Sequence, residues 1–371
     1  MAPIRPLTQR ELRIPAWPPS LPWDNWLERV VVAPWERWDA VYYVRIVRQG
    51  YRIDDGTAQF HPLLPWLATP VARLTGQPLL ALLLVSSMAT LLLLLAFERL
   101  ARLDLKPAAA RTSTLLLMFS PPAVILFAPY TESLWLLCAV LCLWWARKRQ
   151  WLLAGIAGAC AALARQQGVF LLLPVAWELW EASRRDKRSI RREYRNWLAL
   201  ALIPGGLLIW LTYRAIALAD LQIDWSHPQS LIYSLLISAS ANKVVPHQAF
   251  YPPWQAFGLA LVKYVRSPDL DLAIDLLFAG VFLCFILAAW RELRTSYRIY
   301  VIVIALVSFS YYTGPFHPYM GLPRHLLLAF PVFIGLGMWI KRPLALGFTI
   351  TVGVLGMAFF LFLYVLQIWV P

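Results

Sequence analysis

The chain has 371 residues, of which 60% are apolar and only 15% charged, against roughly 25% charged residues in soluble domains. That balance excludes a soluble globular protein. A net charge of +14 raises nucleic acid as a partner, but Lys and Arg gather in short segments between apolar runs, which is loop-like placement, and no nucleic-acid partner is expected.

Residues 1–35 are rich in Pro and Trp with scattered charges and cannot span a bilayer. They also lack the uninterrupted apolar core of a cleavable signal peptide. They read as an N-terminal non-spanning segment ahead of a single membrane-embedded unit, 36–371. Residues 36–77 read as a first outer loop. Within it, 36–53 mixes Val41, Val44, Ile46 and Val47 with Arg45, Arg48 and Arg52, the pattern of a short amphipathic helix at an interface. Residues 61–76 are apolar but broken by Pro62, Pro65, Pro70 and Arg73, which suggests a second interfacial or re-entrant piece.

From residue 78 onward about ten hydrophobic segments are expected. They lie near 78–97, 108–127, 133–146, 151–164, 168–180, 197–218, 272–290, 299–312, 325–340 and 344–368. The first carries no charge at all, over about the 20 residues that a bilayer core requires. The expected fold is therefore an all-α polytopic membrane protein. Cys138, Cys142, Cys160 and Cys284 all fall inside apolar runs, so packing rather than a disulfide framework or a zinc site is expected of them.

Sidedness follows from Lys and Arg. The connections at 98–106, 147–149, 184–195, 291–298 and 341–342 hold 18 basic residues, and the alternate ones at 128–132, 165–167, 219–271 and 313–324 hold five. The first set is expected to be cytoplasmic. Asp39 and the long 219–271 loop, including an amphipathic surface helix near 254–266, then lie on the non-cytoplasmic face. Segments 133–146, 151–164, 168–180 and 299–312 are short, about 18–21 Å of helix at 1.5 Å per residue, against a hydrocarbon core of about 30 Å. Polar residues at their turns, Glu132 and Arg165-Gln166-Gln167, are expected to line a cavity opening outward.

Four pieces converge on that face: Arg37-Trp38-Asp39 with Tyr42, Tyr43 and the turn Gln49-Gly50-Tyr51; Phe60-His61-Pro62-Leu63-Leu64-Pro65; Tyr130-Thr131-Glu132-Ser133 with Arg165-Gln166-Gln167-Gly168; and His317 with Pro323-Arg324-His325. One carboxylate and two cations facing a cavity suit transfer of a sugar from a lipid phosphate. The acceptor hydroxyl needs one general base. The leaving phosphate needs cations but no proton. Glycoside hydrolysis would instead use two carboxylates.

Arg37-Trp38-Asp39-Ala40, Tyr42-Tyr43 and Gly50-Tyr51 resemble the start of the family of the second GPI mannosyltransferase and its prokaryotic relatives. Phe60-x-Pro62-x-x-Pro65, Tyr130-x-Glu132-Ser133, Ala164-Arg165-Gln166-x-Gly168 and Arg324-His325-Leu326-Leu327-x-x-Phe330-Pro331 follow in that family's order, so the likeness covers about residues 35–340. The resemblance implies a GT-C integral membrane glycosyltransferase with outer-face interfacial helices. It implies an inverting transfer, with mannose as the sugar, from a polyprenyl-phosphate donor to a glycolipid or other glycan acceptor outside the cytoplasm. In a prokaryote that places it in the cell membrane. Asp39 is then the catalytic base. Arg324 and Arg165 serve phosphate or cavity, and Arg37, Trp38, Tyr42, Tyr43, His61, Glu132, Gln166, Gln167, His317 and His325 are substrate-binding candidates. The chain departs from the family in lacking an apolar span before Asp39, and in carrying His61 and His325 where aromatic residues are usual.

Each residue also has a plainer reading. Asp39 could cap the helix after it, Arg165 and Arg324 could snorkel at an interface, and Glu132 could pair with Arg165. Asp54 and Asp55 read first as turn residues beside Gly56. The histidines lack metal-ligand spacing. No cofactor is required; a divalent cation held by Asp39 with Asp54 or Asp55 is compatible with the chemistry. The rival function is a lipid or solute transporter, but no internal repeat supports it.

Overall fold

The computed structural model of the protein describes residues 26–52, 55–186, 193–218 and 249–366. Asp54, His227, His247 and most of the 219–271 loop, with the centre of the basic 184–195 segment, lie outside the described residues. Apart from a two-residue strand pair, Ala249–Phe250 against Tyr311–Tyr312, the regular structure is helical. Among the described residues, four helices are long and apolar enough to cross a membrane: Pro78–Ala101, Tyr194–Ala217, Leu270–Glu292 and Pro343–Val365. Their outward faces carry Leu, Val and Phe, as lipid contact requires (Leu84, Leu91, Leu277, Leu287, Phe348 and Leu355 are exposed).

The remaining apolar segments form shorter helices, and proline and glycine chemistry sets where they break. The 108–127 segment is a helix only over Pro107–Met118 and continues, after Ser120, as the tight turn Pro121–Leu126. The 325–340 segment divides at Pro331, which cannot donate a helix hydrogen bond, into Leu322–Leu327 and Pro331–Gly337. The 61–76 piece is a continuous helix, Leu63–Thr75, closed by Gly76 at a φ of 68°. Pro65 sits in its first turn, where no intrahelical N–H is needed. Helix Trp151–Ala164 packs on the span Tyr194–Ala217 where only small residues fit. Gly155 lies against the Ala199 carbonyl and Gly206 against Ala159, so a side chain at either position would collide with backbone.

Helix Glu132–Arg147 runs through the middle of the bundle. Trp135, Leu136, Ala139, Val140, Cys142 and Leu143 are all buried. Its 16 residues give about 24 Å of rise. At its C-terminal end, Arg147 makes paired bonds to Asp104 at 2.8 and 2.9 Å. Arg149 pairs with Asp186 at 2.7 Å, and Arg294 faces Glu178 and Glu181 at 3.4 and 3.5 Å. Residues of four of the basic connections thus meet at one end of the bundle, around a cavity of about 140 Å³. Glu132 stands at the other end.

Candidate active site

Asp39 is the first residue of helix Asp39–Gln49, and the cap position before it belongs to Trp38 with no side-chain capping bond. Trp38 has a φ of 51°, a conformation that costs a bulky side chain on the order of 1–3 kcal/mol and persists only where neighbours impose it. Those neighbours are visible. The Tyr364 hydroxyl donates to the Trp35 carbonyl at 3.2 Å and the Tyr130 hydroxyl to the Arg37 carbonyl at 3.4 Å. The sharp turn leaves the Asp39 carboxylate pointing into the bundle, where its Oδ2 accepts from Arg324 Nη1 at 3.0 Å. The carboxylate's described partner is a distant guanidinium, not the helix N-terminus.

Arg324 extends the contact into a chain of alternating charge. Its Nε lies 3.5 Å from Glu132 Oε1, and the same oxygen accepts from Arg165 Nη1. Arg165 Nε reaches Gln167 Oε1 at 3.4 Å, and its Nη2 lies 3.4 Å from His325 Nδ1. The guanidinium of Arg324 also rests over the Tyr130 ring at 5.4 Å, a cation–π contact. Arg165 is held in place by its own turn. Gly168 packs so closely on the Ala161–Ala162 backbone that a β-carbon would not fit, which keeps Gln166–Leu171 folded back on the preceding helix.

The two carboxylates differ in access. Glu132 is 1% exposed and answered by two arginines, whereas the Asp39 side chain is 36% exposed. A carboxylate buried like Glu132 persists only when paired, because desolvation of an isolated ion is far costlier than any single contact repays. Asp39 alone of the pair can meet a substrate. Beside Arg165 and His325 lies a small cavity of about 10 Å³ lined in part by Gln167, Ser308 and Tyr311, room for about one water or one hydroxyl.

The other sequence candidates fall around this centre at varying distance. Tyr42 stacks on Phe60 with ring centroids 4.7 Å apart, and Tyr43 meets the same ring edge-on at 5.2 Å. Both tyrosines are buried. Arg37 is buried and donates to the Glu36 carbonyl at 3.2 Å. His61 is bonded through its Nδ1 to the Ala162 carbonyl at 3.0 Å. Burial, with the nearby charge of Arg214, brings its pKa down to about 3, so the ring is neutral at working pH. Gln166 is exposed at the turn. His317 stands apart, 3.4 Å from Asp271 Oδ2, and that carboxylate holds its pKa above the usual imidazole value. Asp55 is a turn residue: its Oδ1 accepts from the Thr57 N–H at 3.0 Å and hydroxyl at 2.6 Å, while Arg45 lies 3.5 Å from its other oxygen. Among the described residues no three His, Cys, Asp or Glu side chains are grouped to hold a metal ion.

Sequence reasoning missed Asp271 and Asp275, buried near the N-terminal end of helix Leu270–Ala289. A signal was present, since two carboxylates four residues apart at the start of an apolar run share one helix face and are costly in lipid.

Residues 10–181 match the sequence profile of the family described as mannosyltransferase (PIG-V), in agreement with the motifs of that half of the chain. No curated protein matches the chain. Among solved structures, the chain is similar to ArnT from Cupriavidus metallidurans bound to undecaprenyl phosphate. The TM-score is 0.51 at 14% identity, over 86% of this chain and 57% of that one. It is also similar to the apo oligosaccharyltransferase of Archaeoglobus fulgidus, with a TM-score of 0.50 at 14% identity, over 92% of this chain and 53% of that one. The chain shares the fold of these two structures and spans little more than half the length of either.

Proposed function

From a chain with the GT-C fold and a first half that matches the mannosyltransferase (PIG-V) family, we propose an inverting glycosyltransferase that moves a sugar, mannose by family likeness, from a polyprenyl-phosphate donor to a hydroxyl of a glycolipid or other glycan. The observation that carries this reading is the 3.0 Å contact between the partly exposed Asp39 and the buried Arg324. ArnT bound to undecaprenyl phosphate is consistent with a lipid-phosphate donor for this fold.

The chemistry follows from charge balance. The acceptor oxygen attacks the anomeric carbon as the bond from that carbon to the phosphate oxygen breaks, and the hydroxyl proton passes to Asp39. The carboxylate loses its negative charge in the step in which the leaving phosphate gains one. Arg324, ion-paired to Asp39 beforehand, is released to the phosphate when its partner is neutralised. Its stabilisation is thereby stronger in the transition state than in the ground state, which is the condition for raising the rate. Glu132 keeps Arg324 and Arg165 in place throughout. His325, Gln167 and the hydroxyl-sized cavity beside them suit a sugar hydroxyl; Trp38, Tyr42 and Tyr43 shape the sugar site, with Arg37 beside them. The buried middle of helix Glu132–Arg147 fills the path between the two ends of the bundle, which favours an enzyme over a transporter.

Purified protein incubated with a panel of polyprenyl-phosphate sugars and a membrane glycolipid extract is expected to yield a hexose-extended lipid by mass spectrometry, with mannose as the transferred sugar. Absence of product with every donor refutes the reading. The active site is assigned to the non-cytoplasmic face because the 18 basic residues counted in sequence mark the opposite face as cytoplasmic. Single cysteines at exposed positions, Gln150→Cys at the basic end and Pro315→Cys near Arg324, are expected to label from opposite sides of sealed vesicles in a background without Cys284. Labelling of both from one side reverses or removes that assignment.

A further inference from the structure

We propose that Asp275 is a positioning residue for Arg324, acting as a helix cap supplied from a different helix; the functional part of this inference rests on the reading above. Asp275 lies in the second turn of helix Leu270–Ala289 and is fully buried. Its Oδ1 accepts the backbone N–H of Leu322 at 3.0 Å. Leu322 opens the short helix Leu322–Leu327, which carries Arg324 and His325. The first N–H groups of a helix have no intrahelical partner and are commonly satisfied by a side chain at the cap position. Here that position is Gly321, at a φ of 69° and without a side chain to offer. The carboxylate of Asp275 takes over that task across 47 residues of sequence.

One turn earlier on the same helix face, Asp271 faces His317 at 3.4 Å. The spanning helix therefore holds the 313–321 loop at its middle and at its end. The loop is otherwise tied mainly to itself and to the preceding helix, Thr295–Ser310: the Thr313 N–H donates to the Pro318 carbonyl at 3.0 Å, the Met320 N–H to Thr313 Oγ1 at 3.1 Å, and the Tyr319 hydroxyl to the Phe309 carbonyl at 3.1 Å. Those bonds shape the loop, but none fixes Leu322 against the bundle. The Asp275 contact does. A carboxylate in an apolar span is retained against a considerable desolvation penalty, and a hydrophobic residue of similar size would pack there without it. Its described use is to set the start of the helix that brings Arg324 to 3.0 Å from Asp39.

The variants Asp275→Ala and Asp275→Asn separate positioning from bulk stability, because Asn keeps a carbonyl oxygen for the Leu322 N–H and Ala does not. Hydrogen exchange in nanodiscs is expected to rise in peptides covering 321–328 for Asp275→Ala and to stay near wild type for Asp275→Asn. In the transfer assay, Asp275→Ala is expected to lose about tenfold or more in kcat over donor KM, the scale of one buried donor left unsatisfied, with acceptor KM unchanged. Asp275→Asn is expected to stay within about threefold of wild type. Unchanged exchange at 321–328 in Asp275→Ala overturns the cap, and it does so even if wild-type protein transfers no sugar. Raised exchange with unchanged donor kinetics, or activity that falls only in proportion to folded protein, overturns the link to Arg324.

Discussion

Asp39→Asn is expected to remove nearly all transfer, by about 10²–10⁴-fold in kcat, the usual contribution of a general base, while folding and donor binding persist. The substitution keeps the side chain's size and leaves a carbonyl oxygen to accept from Arg324 Nη1, where the carboxylate now accepts at 3.0 Å. What it removes is the capacity to take the acceptor proton at neutral pH. The plainer role of Asp39, a helix cap, finds no support in the local geometry, since the cap position falls on Trp38 and no side-chain capping bond is formed. Glu132 cannot substitute for it, being 1% exposed and held by two guanidiniums. Single-turnover rates at saturating donor, with donor affinity measured separately, test the assignment. Near-normal turnover in a folded Asp39→Asn protein moves the base elsewhere and leaves Asp39 as an anchor for Arg324.

Arg324→Ala is expected to lower kcat by about 10²–10³-fold, the scale seen when a transition-state donor is removed, and to weaken donor binding as well. The change deprives Asp39 of its cation and leaves Glu132 to Arg165 alone. Arg324→Lys is expected to fall between Ala and wild type. It retains a charge, but a single ammonium cannot reach Asp39, Glu132 and a phosphate in the forked geometry of a guanidinium, nor lie flat over the Tyr130 ring. If Arg324 were only an anchor at the end of its helix, Lys would serve fully and Ala would lower the melting temperature without lowering the rate of the protein that stays folded. Melting curves and donor titrations on the same two variants distinguish the cases. A stable Arg324→Ala protein with wild-type rate and donor dependence ends the phosphate assignment.

Both predictions start from residues that sequence order alone singled out, and the reason is chemical. A charged group beside apolar runs is costly, so Asp39, Glu132, Arg165 and Arg324 stand out without any knowledge of contacts. The long spans were equally legible, since about 20 apolar residues have few other uses. Shorter segments were less so. Hydropathy does not register the stop at Met118 or the division at Pro331, because both depend on backbone hydrogen bonding rather than on side-chain polarity. Asp271 and Asp275 were absorbed into the apolar run that follows them, although their spacing places both on one face.

By itself the sequence determined a polytopic helical membrane protein, the asymmetry of its basic connections, and the small set of ionisable residues outside those connections. These are properties of single residues and local runs, set by what a bilayer excludes. Only the tertiary structure decided which of those charges meet. It joined Asp39 to Arg324 and Glu132 to Arg165, turned His61 toward a backbone carbonyl, placed His317 beside Asp271, and gave the Arg324 helix its cap from a distant span. Pairing of that kind depends on helix ends brought together by packing, through close approaches at Gly155, Gly168 and Gly206 and strain at Trp38. No local pattern carries that information, because the partners lie up to 285 residues apart.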